Sequence, residues 1–494
     1  MKEKKHMLSF DCGNSSFRMV LGIYDGEKLR TEVIEQTPND MVEIGGFYYW
    51  DILNIYKGLL SGLKTAVLKH RIDSIGICTW GVDFSLFDKN GFMLGNPLSY
   101  RNNIGSENLD GLSEKEESRL FNKTGILCDK INSCYMLKGM MRSFPEMVKA
   151  ADRFLMIPDI LNYFLTGTMM NEPSELSTTQ LMNVKTRKIS LEACDLLGIP
   201  RELFPEISTH GTTVGFLRKE LKEELGVSYD IPVIAVPSHD TAAAVLAVPA
   251  AENNFAFISS GTWALIGTEL QEPVINDKVR KAGLTNEVGG FGIITLLKNN
   301  AGMFLIQRLK KEYEQETGQK AGWGAFNALG DRASKEGMLF DVNSIRFFNP
   351  VNMSEEIWNY FCETGQAAGK KDWNIIIRSF QVSMALSYAL TIENLEHISG
   401  REFEAVYIVG GGSRNIRLCQ ATADCTGKRV SAGGKESTSM GNLLAQIKYF
   451  EPDKEISDLR RLVLNSIAVK TYMPLEDKTM SLEKYKGLLQ GRKS

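Results

Sequence analysis

Residues 7–22 read as an apolar strand, MLSF, a small polar turn, DCGNSS, and a second apolar strand, FRMVLG. The same unit recurs in mid-chain, where FAFISSGTWALIG (Phe255 to Gly267) again sets a Ser/Gly turn between apolar strands. Two copies about half a chain apart predict a duplicated architecture with a boundary near residue 248. Between them, IDSIGICTWGVDFSLFDKNG supplies another strand pair with a turn at Gly81 and a hairpin signal from Asp88 to Gly91. Helical spacing follows Asp51, a candidate cap, with Ile55, Leu59, Leu63 and Val67 on one face. The run IIIRSFQVSMALSYALTIENLEHISG is apolar on most faces, which predicts a buried helix closed by Gly400. The strand AVYIV follows and ends in Gly410-Gly411-Gly412. Beyond Gln446 the pattern weakens and charge rises, as expected of a peripheral tail.

At 494 residues the chain exceeds the size at which a single core stops growing, in keeping with two large domains. Lys and Arg number 57 against 60 Asp and Glu, with no long block of either sign, so no nucleic-acid-binding face is implied. The N-terminus, MKEKKHMLSF, passes into a polar turn without the apolar core of a signal peptide. The apolar stretch Ala242 to Ala251 is interrupted by Pro249 and is too short to cross a membrane. A cytoplasmic protein is expected. Eight scattered cysteines include no CxxC pair, which argues against zinc; Cys419 and Cys425, six apart, are expected to be reduced buried thiols.

Turns of small residues let backbone N–H groups approach phosphate oxygens. Asp11, Gly13, Asn14, Ser15, Ser16 and Arg18 meet that need, as do Ser259-Ser260-Gly261-Thr262, although either pattern also serves an ordinary hairpin. Gly410-Gly411-Gly412 precedes a helix expected to begin near Arg414 or Asn415, which suits nucleotide contact. It lacks the GxGxxG spacing of a dinucleotide fold. Phosphoryl transfer needs a group that accepts the substrate hydroxyl proton, and Asp240, where VIAVPSHDTAAAVLAV turns from strand to helix, is the leading candidate. The same carboxylate could cap that helix, and the helix N-terminus would favour its ionised form. His239 is the alternative base. Trp80, Gly81 and Asp83 offer an aromatic wall and an acceptor for sugar hydroxyls, with core packing the other role open to Trp80.

These segments, with LMIPDILNYFLTG, STTQLMNV, LKNNAGMFLIQRL and YIVGGGSRN, resemble the FGGY family of carbohydrate kinases along nearly the whole chain. The resemblance implies an α/β protein of two actin-like (ribonuclease H-like) domains with an interdomain active-site cleft. Its N-terminal sugar-binding domain would span 1–248 and its nucleotide-binding domain 249–450, with a tail, 451–494, packed on the second domain. By motif, Asp240 would be the base, and Gly81, His239, Thr241 and Asn299 would touch a small-molecule sugar. Asn14, Ser15, Ser16, Phe17, Arg18, Thr262, Gln307 and Gly411 would touch ATP, and Asp11 would help to hold hydrated Mg²⁺. The implied product is a sugar 1-phosphate made by a monomer or homodimer. Two positions depart from the pattern of family members that act on L-rhamnulose. Phe17 stands where a Gly is usual, and Tyr100-Arg101-Asn102-Asn103-Ile104 replaces Tyr-Arg-Asp-x-Arg-Thr, which leaves the sugar open between L-rhamnulose and another ketose or deoxy sugar.

Overall fold

A computed structural model describes residues 3–334, 336–434 and 436–491 and divides into two compact units. The first comprises Met1–Ala251, Glu269–Leu296 and Glu436–Ser466; the second comprises Glu252–Thr268, Leu297–Lys435 and Ile467–Ser494.

The first unit is built on a six-stranded sheet, in the order Thr213–Phe216, Pro232–Ile234, Ser74–Thr79, Lys5–Cys12, Ser16–Tyr24, Leu29–Pro38. Lys5–Cys12 runs parallel to Ser74–Thr79, pairing Phe10 with Ile77, and antiparallel to Ser16–Tyr24, pairing Phe10 with Met19. The helix Ile52–Val67 buries Ile55, Leu59 and Leu63, and Asp51 caps it by accepting from the Asn54 amide at 3.1 Å, as the four-residue spacing predicts. Phe17 points into this core, with its ring 5.6 Å from that of Phe10. Room for it comes from Gly58, where a Cβ would lie 2.1 Å from the Phe17 ring. A side chain larger than the usual Gly at position 17 is therefore matched by a missing one on the facing helix.

Helix Ser437–Phe450 lies late in the sequence yet packs on the first unit's sheet. Gln446 accepts from the Ser74 hydroxyl at 2.6 Å and donates to the Leu8 carbonyl at 2.9 Å, and Asn442 donates to the Cys78 sulfur at 3.1 Å. Beyond it, Arg460 pairs with Glu269 at 2.7 Å and the Leu29 amide donates to the Ser466 hydroxyl at 3.0 Å. The expected tail 451–494 is thus divided: residues up to Ser466 belong to the first unit, and only those from Ile467 onward to the second. Buried polar partners far away in sequence hold this segment, and hydropathy alone does not register them.

In the second unit Phe255–Ser260 pairs antiparallel with the strand from Trp263 and parallel with Ala405–Val409, which leads in turn to Arg429–Gly433 and Val469–Tyr472. The long helix Trp373–Ser399 is mostly buried and ends at Gly400 in a left-handed conformation (φ 66°). It is the one helix among the described residues long and apolar enough to cross a membrane, and its burial inside the unit accounts for that composition. All eight cysteines are free, Cys419 and Cys425 among them, both buried on one helix.

Candidate active site

The strand Ser74–Thr79 ends beside the segment that carries Asp240. The Thr79 amide donates to the Ser238 carbonyl at 2.8 Å, and Thr79 bridges His239 in parallel register. At Gly81 a Cβ would lie 2.9 Å from the Thr178 side chain and 3.3 Å from the His239 ring, so a side chain there would press first on Thr178 and then crowd His239. His239, not Asp240, occupies the N-cap position of the helix Asp240–Leu246, and it caps with no side-chain hydrogen bond. Asp240 is the first residue inside that helix, so the capping role is not the one its carboxylate plays.

Asp240 keeps about a third of its side chain exposed, whereas His239 and Thr241 beside it are buried. Its Oδ1 accepts from the Thr241 hydroxyl at 3.2 Å and lies 3.5 Å from His239 Nε2. Burial raises the Asp240 pKa, and the neighbouring His239 opposes the rise. The ionised form expected from the helix N-terminus therefore depends on His239 as well. A proton-accepting carboxylate with one exposed face, backed by buried donors, can receive a hydroxyl proton from a bound alcohol.

Asp11 is buried near the end of the first strand. Its Oδ2 receives the Ser439 hydroxyl at 3.0 Å and the Arg18 guanidinium at 2.9 Å, and Arg18 also pairs with Glu436 at 2.6 Å. Burial raises the Asp11 pKa; Arg18 and Ser439 resist, and the Asp240 charge adds to the rise. The two carboxylates thus sense one another. In the turn between them and the second strand, the Gly13 amide donates to the Ser16 carbonyl at 2.9 Å, while Ser15 is exposed and Asn14 Oδ1 is buried without a hydrogen-bond partner. Phe17, with its side chain in the core, can offer a phosphate only its backbone.

Trp80 and Asp83 do not form the sugar-facing wall expected of them. Trp80 is 3% exposed and Asp83 0%, and Asp83 Oδ2 accepts from the indole N–H groups of Trp50 at 2.6 Å and Trp80 at 2.8 Å. The two indoles lie 4.2 Å apart, so the group is a buried strut under the Gly81 turn. Burial pushes the Asp83 carboxyl up to about 7 from 3.8. Between those values the unfolded chain ionises this group while the folded chain keeps it protonated, so stability is lost as pH rises through the window. The contribution is worth up to about 4 kcal/mol. Asp83→Asn should flatten the fall in melting temperature between pH 5 and pH 8; an unchanged pH profile of melting would refute the assignment.

Asn102 is likewise structural. It accepts from the Tyr48 amide at 2.9 Å and donates to the carbonyls of Tyr48 at 2.8 Å and Ser99 at 2.7 Å. An ionised aspartate could accept here but not donate, so asparagine at this position is explained by the backbone it ties together.

On the second unit, the Ser259–Thr262 turn and the Gly410–Gly412 element lie side by side. A Cβ at Gly410 would approach the Ser260 carbonyl at 3.0 Å, and one at Gly412 would meet the Ser260 hydroxyl at 2.0 Å, whereas Gly411 is exposed with little near it. Asn415 caps the following helix, Ile416–Thr426, by accepting from the Leu418 amide at 3.2 Å, at the start the Gly-rich spacing predicts. Thr262 is exposed at the tip, with its carbonyl receiving the Phe304 amide at 3.3 Å, and Gln307 is exposed on the helix that begins at Phe304. Asn299 belongs to this unit too, exposed on the strand Ile294–Ala301, and so shares it with Thr262 and not with Gly81 and His239. No cluster of three or more His, Cys, Asp or Glu side chains able to hold a metal occurs among the described residues.

Several residues around His239 carry no motif of their own. The His239 amide donates to the Ser174 hydroxyl at 3.0 Å, which donates to Glu172 at 2.6 Å, and Glu172 pairs with His210. Glu172 caps the short helix Pro173–Ser177 through the amides of Ser174 and Glu175. Its position before a proline at the first helical residue is the one local signal that could have marked it. Glu287, whose Oε2 lies 3.3 Å from His239 Nδ1, has no such signal.

The FGGY family of carbohydrate kinases matches this chain in both parts, its N-terminal domain over residues 6–247 and its C-terminal domain over residues 256–448. The chain is 37% identical to a rhamnulokinase of Bacteroides thetaiotaomicron over 476 residues, covering 95% of this chain and 96% of that one. It is 37% identical to a rhamnulokinase of Oceanobacillus iheyensis, covering 94% and 97%. Among solved structures, a gluconate kinase from Lactobacillus acidophilus superposes with a TM-score of 0.79 over 99% of this chain and 96% of that one, at 15% identity.

Proposed function

Because this chain belongs to the FGGY family of carbohydrate kinases, we propose that it transfers the γ-phosphoryl group of ATP to L-rhamnulose, giving L-rhamnulose 1-phosphate. The observation that carries this reading is the Gly81–His239–Asp240 group, in which one part-exposed carboxylate stands beside a buried imidazole packed close to the Gly81 turn. The specific sugar is supported by rhamnulokinases 34–37% identical over almost the entire chain.

In this scheme Asp240 accepts the proton of the sugar hydroxyl as that oxygen attacks the γ-phosphorus, and the bond to the β–γ bridging oxygen breaks to release ADP. Gly81, His239 and Thr241 border the sugar hydroxyls, with Trp80 and Asp83 bracing the turn from beneath. Asn14 to Arg18, Thr262, Gln307 and Gly411 are candidate nucleotide contacts, and Asn299 is a candidate sugar contact. Asp11 is the candidate holder of Mg²⁺, because the Asp240 charge raises the Asp11 pKa, a repulsion that a divalent cation would relieve, and Mg²⁺ takes few protein ligands directly. When bound, it neutralises charge on the phosphates. A cytoplasmic location accords with this chemistry.

A coupled assay of ADP release across a panel of ketoses and deoxy sugars tests the substrate. L-Rhamnulose should give the highest kcat/KM. A different ketose with a higher value would overturn the assignment of the sugar while leaving the kinase intact.

A further inference from the structure

Gly81 is followed by a residue in an unfavourable conformation. Val82 has φ 73°, in the left-handed region, and of the four non-glycine residues found there among the described residues it is the one branched at Cβ. For such a side chain this backbone is a steric outlier, kept only where the surroundings enforce it. They do so at both ends of the residue. The Val82 amide donates to the Thr178 hydroxyl at 3.0 Å, and the Val82 carbonyl accepts from the Ser133 hydroxyl. Val82, Thr178 and Ser133 are all buried, so water offers neither backbone group a substitute partner.

Thr178 has a fixed place of its own. It ends the short helix Pro173–Ser177, where its hydroxyl donates to the Glu175 carbonyl at 2.7 Å. With that proton committed, the oxygen is left to accept, which is what the Val82 N–H requires. The Thr178 methyl is also the nearest atom to a Cβ built on Gly81, at 2.9 Å. Near the start of the same helix, the Ser174 hydroxyl accepts from the His239 amide at 3.0 Å. One short element thus carries an anchor for the Gly81 turn and another for His239.

We propose that Thr178 is a positioning residue for sugar binding, whose hydroxyl, with Ser133 opposite, holds Val82 in its left-handed conformation and so fixes the Gly81 turn in the form that meets the sugar. The inference rests on the reading of Gly81 as a sugar contact. Rotation of Val82 to an ordinary negative φ would turn its N–H and C=O away from the two hydroxyls and swing the peptide that joins it to Gly81. The chain just beyond is tied down, because the Asp83 side chain accepts from Trp50 and Trp80 and the Asp83 carbonyl accepts from the Ile157 amide at 3.2 Å. The movement would therefore fall on Gly81, whose backbone has the freedom to take it up.

Thr178→Val keeps the branched shape and removes the hydroxyl. Sugar KM should rise about tenfold, the effect of leaving one buried N–H without a partner, with much smaller changes in kcat and in KM for ATP. Thr178→Ser, which keeps the hydroxyl, should hold sugar KM near the parent value. Val82→Gly takes the left-handed backbone without steric cost, so in that background Thr178→Val should raise sugar KM by no more than about threefold. An unchanged sugar KM in Thr178→Val, an equal rise for sugar and ATP, or an undiminished rise in the Val82→Gly background would overturn the proposal. Ser133→Ala removes the opposite anchor and should raise sugar KM in the same selective way; the parent's sugar KM in that variant would count against the clamp. A further measurement needs no variant. In the intact protein without sugar, hydrogen exchange at the Val82 amide should be slow, and exchange as fast as that of exposed loop amides would refute the clamp whether or not the variants fold. Turnover by the parent tests whether a sugar is the substrate, whereas the ratios between parent and variants, taken with whichever sugar the parent uses, test the clamp, so the two fail separately.

Discussion

Asp240→Asn should lower kcat by about 10²- to 10⁴-fold, the range that general-base assistance contributes. The amide keeps the volume of the carboxylate and can still accept from the Thr241 hydroxyl, so the start of the helix Asp240–Leu246 is retained. Its carbonyl oxygen cannot take a proton at neutral pH, which is the property the reaction needs. Nucleotide affinity should change little, because the second-unit turn at Thr262 and Gly411 is untouched. Folding should be preserved or slightly improved, since the substitution removes a charge whose pKa burial raises. Steady-state assay beside a thermal melt measures both. A kcat within threefold of the parent would show that another group, His239 first among them, accepts the proton.

The second large effect is expected far from any polar chemistry. Gly441→Val should destabilise the first unit by about 3 kcal/mol or more, as overpacking does where no side chain can yield. A Cβ at Gly441 would lie 1.8 Å from the Ala243 carbonyl oxygen and 2.5 Å from its carbon, so the obstacle is backbone and not a movable side chain. Ala243 sits in the helix that begins with Asp240. Relief can come only by pushing the two helices apart, and the cost should appear both as a lower urea midpoint and as a kcat loss of about 10²-fold, the penalty of misplacing a reacting group by an ångström. Gly441→Ala should show the same two effects at reduced size. A Val variant that melts within about 0.5 kcal/mol of the parent, the scatter of ordinary surface changes, would show that the helices do not need this contact. The observation accounts for a glycine inside a helix, where it would otherwise be unfavourable.

Elements with strong local patterns were legible from residue order. The two strand–turn–strand units, the Asp51-capped helix with Ile55, Leu59 and Leu63 inward, the buried helix ending at Gly400 and the Gly-rich element before the Asn415 cap all follow from periodicity and turn chemistry. Each depends on neighbours within a few positions, which is the range over which side-chain spacing and backbone preference act. Asp240 stood out as a candidate for the same reason, as a carboxylate between an apolar strand and a small-residue helix.

The tertiary structure decided which way those residues face and what lies behind them. Trp80 and Asp83 read as a sugar-facing wall, but Trp50, thirty positions upstream, supplies a second indole that turns them inward. Asn102 read as a lost carboxylate, yet it ties down the backbone of Tyr48. The helix Ser437–Phe450 read as the end of the second domain, and it completes the first through Gln446, Asn442 and a glycine pressed against Ala243. Glu287 carries no mark of its own in a run of ordinary residues. Contacts such as these join positions tens to hundreds of residues apart, and they rest on single polar atoms or on the absence of one side chain. Local periodicity carries no trace of either, so the sequence by itself determined the elements and offered Asp240 as a candidate among them, and only folding determined what packs around that carboxylate.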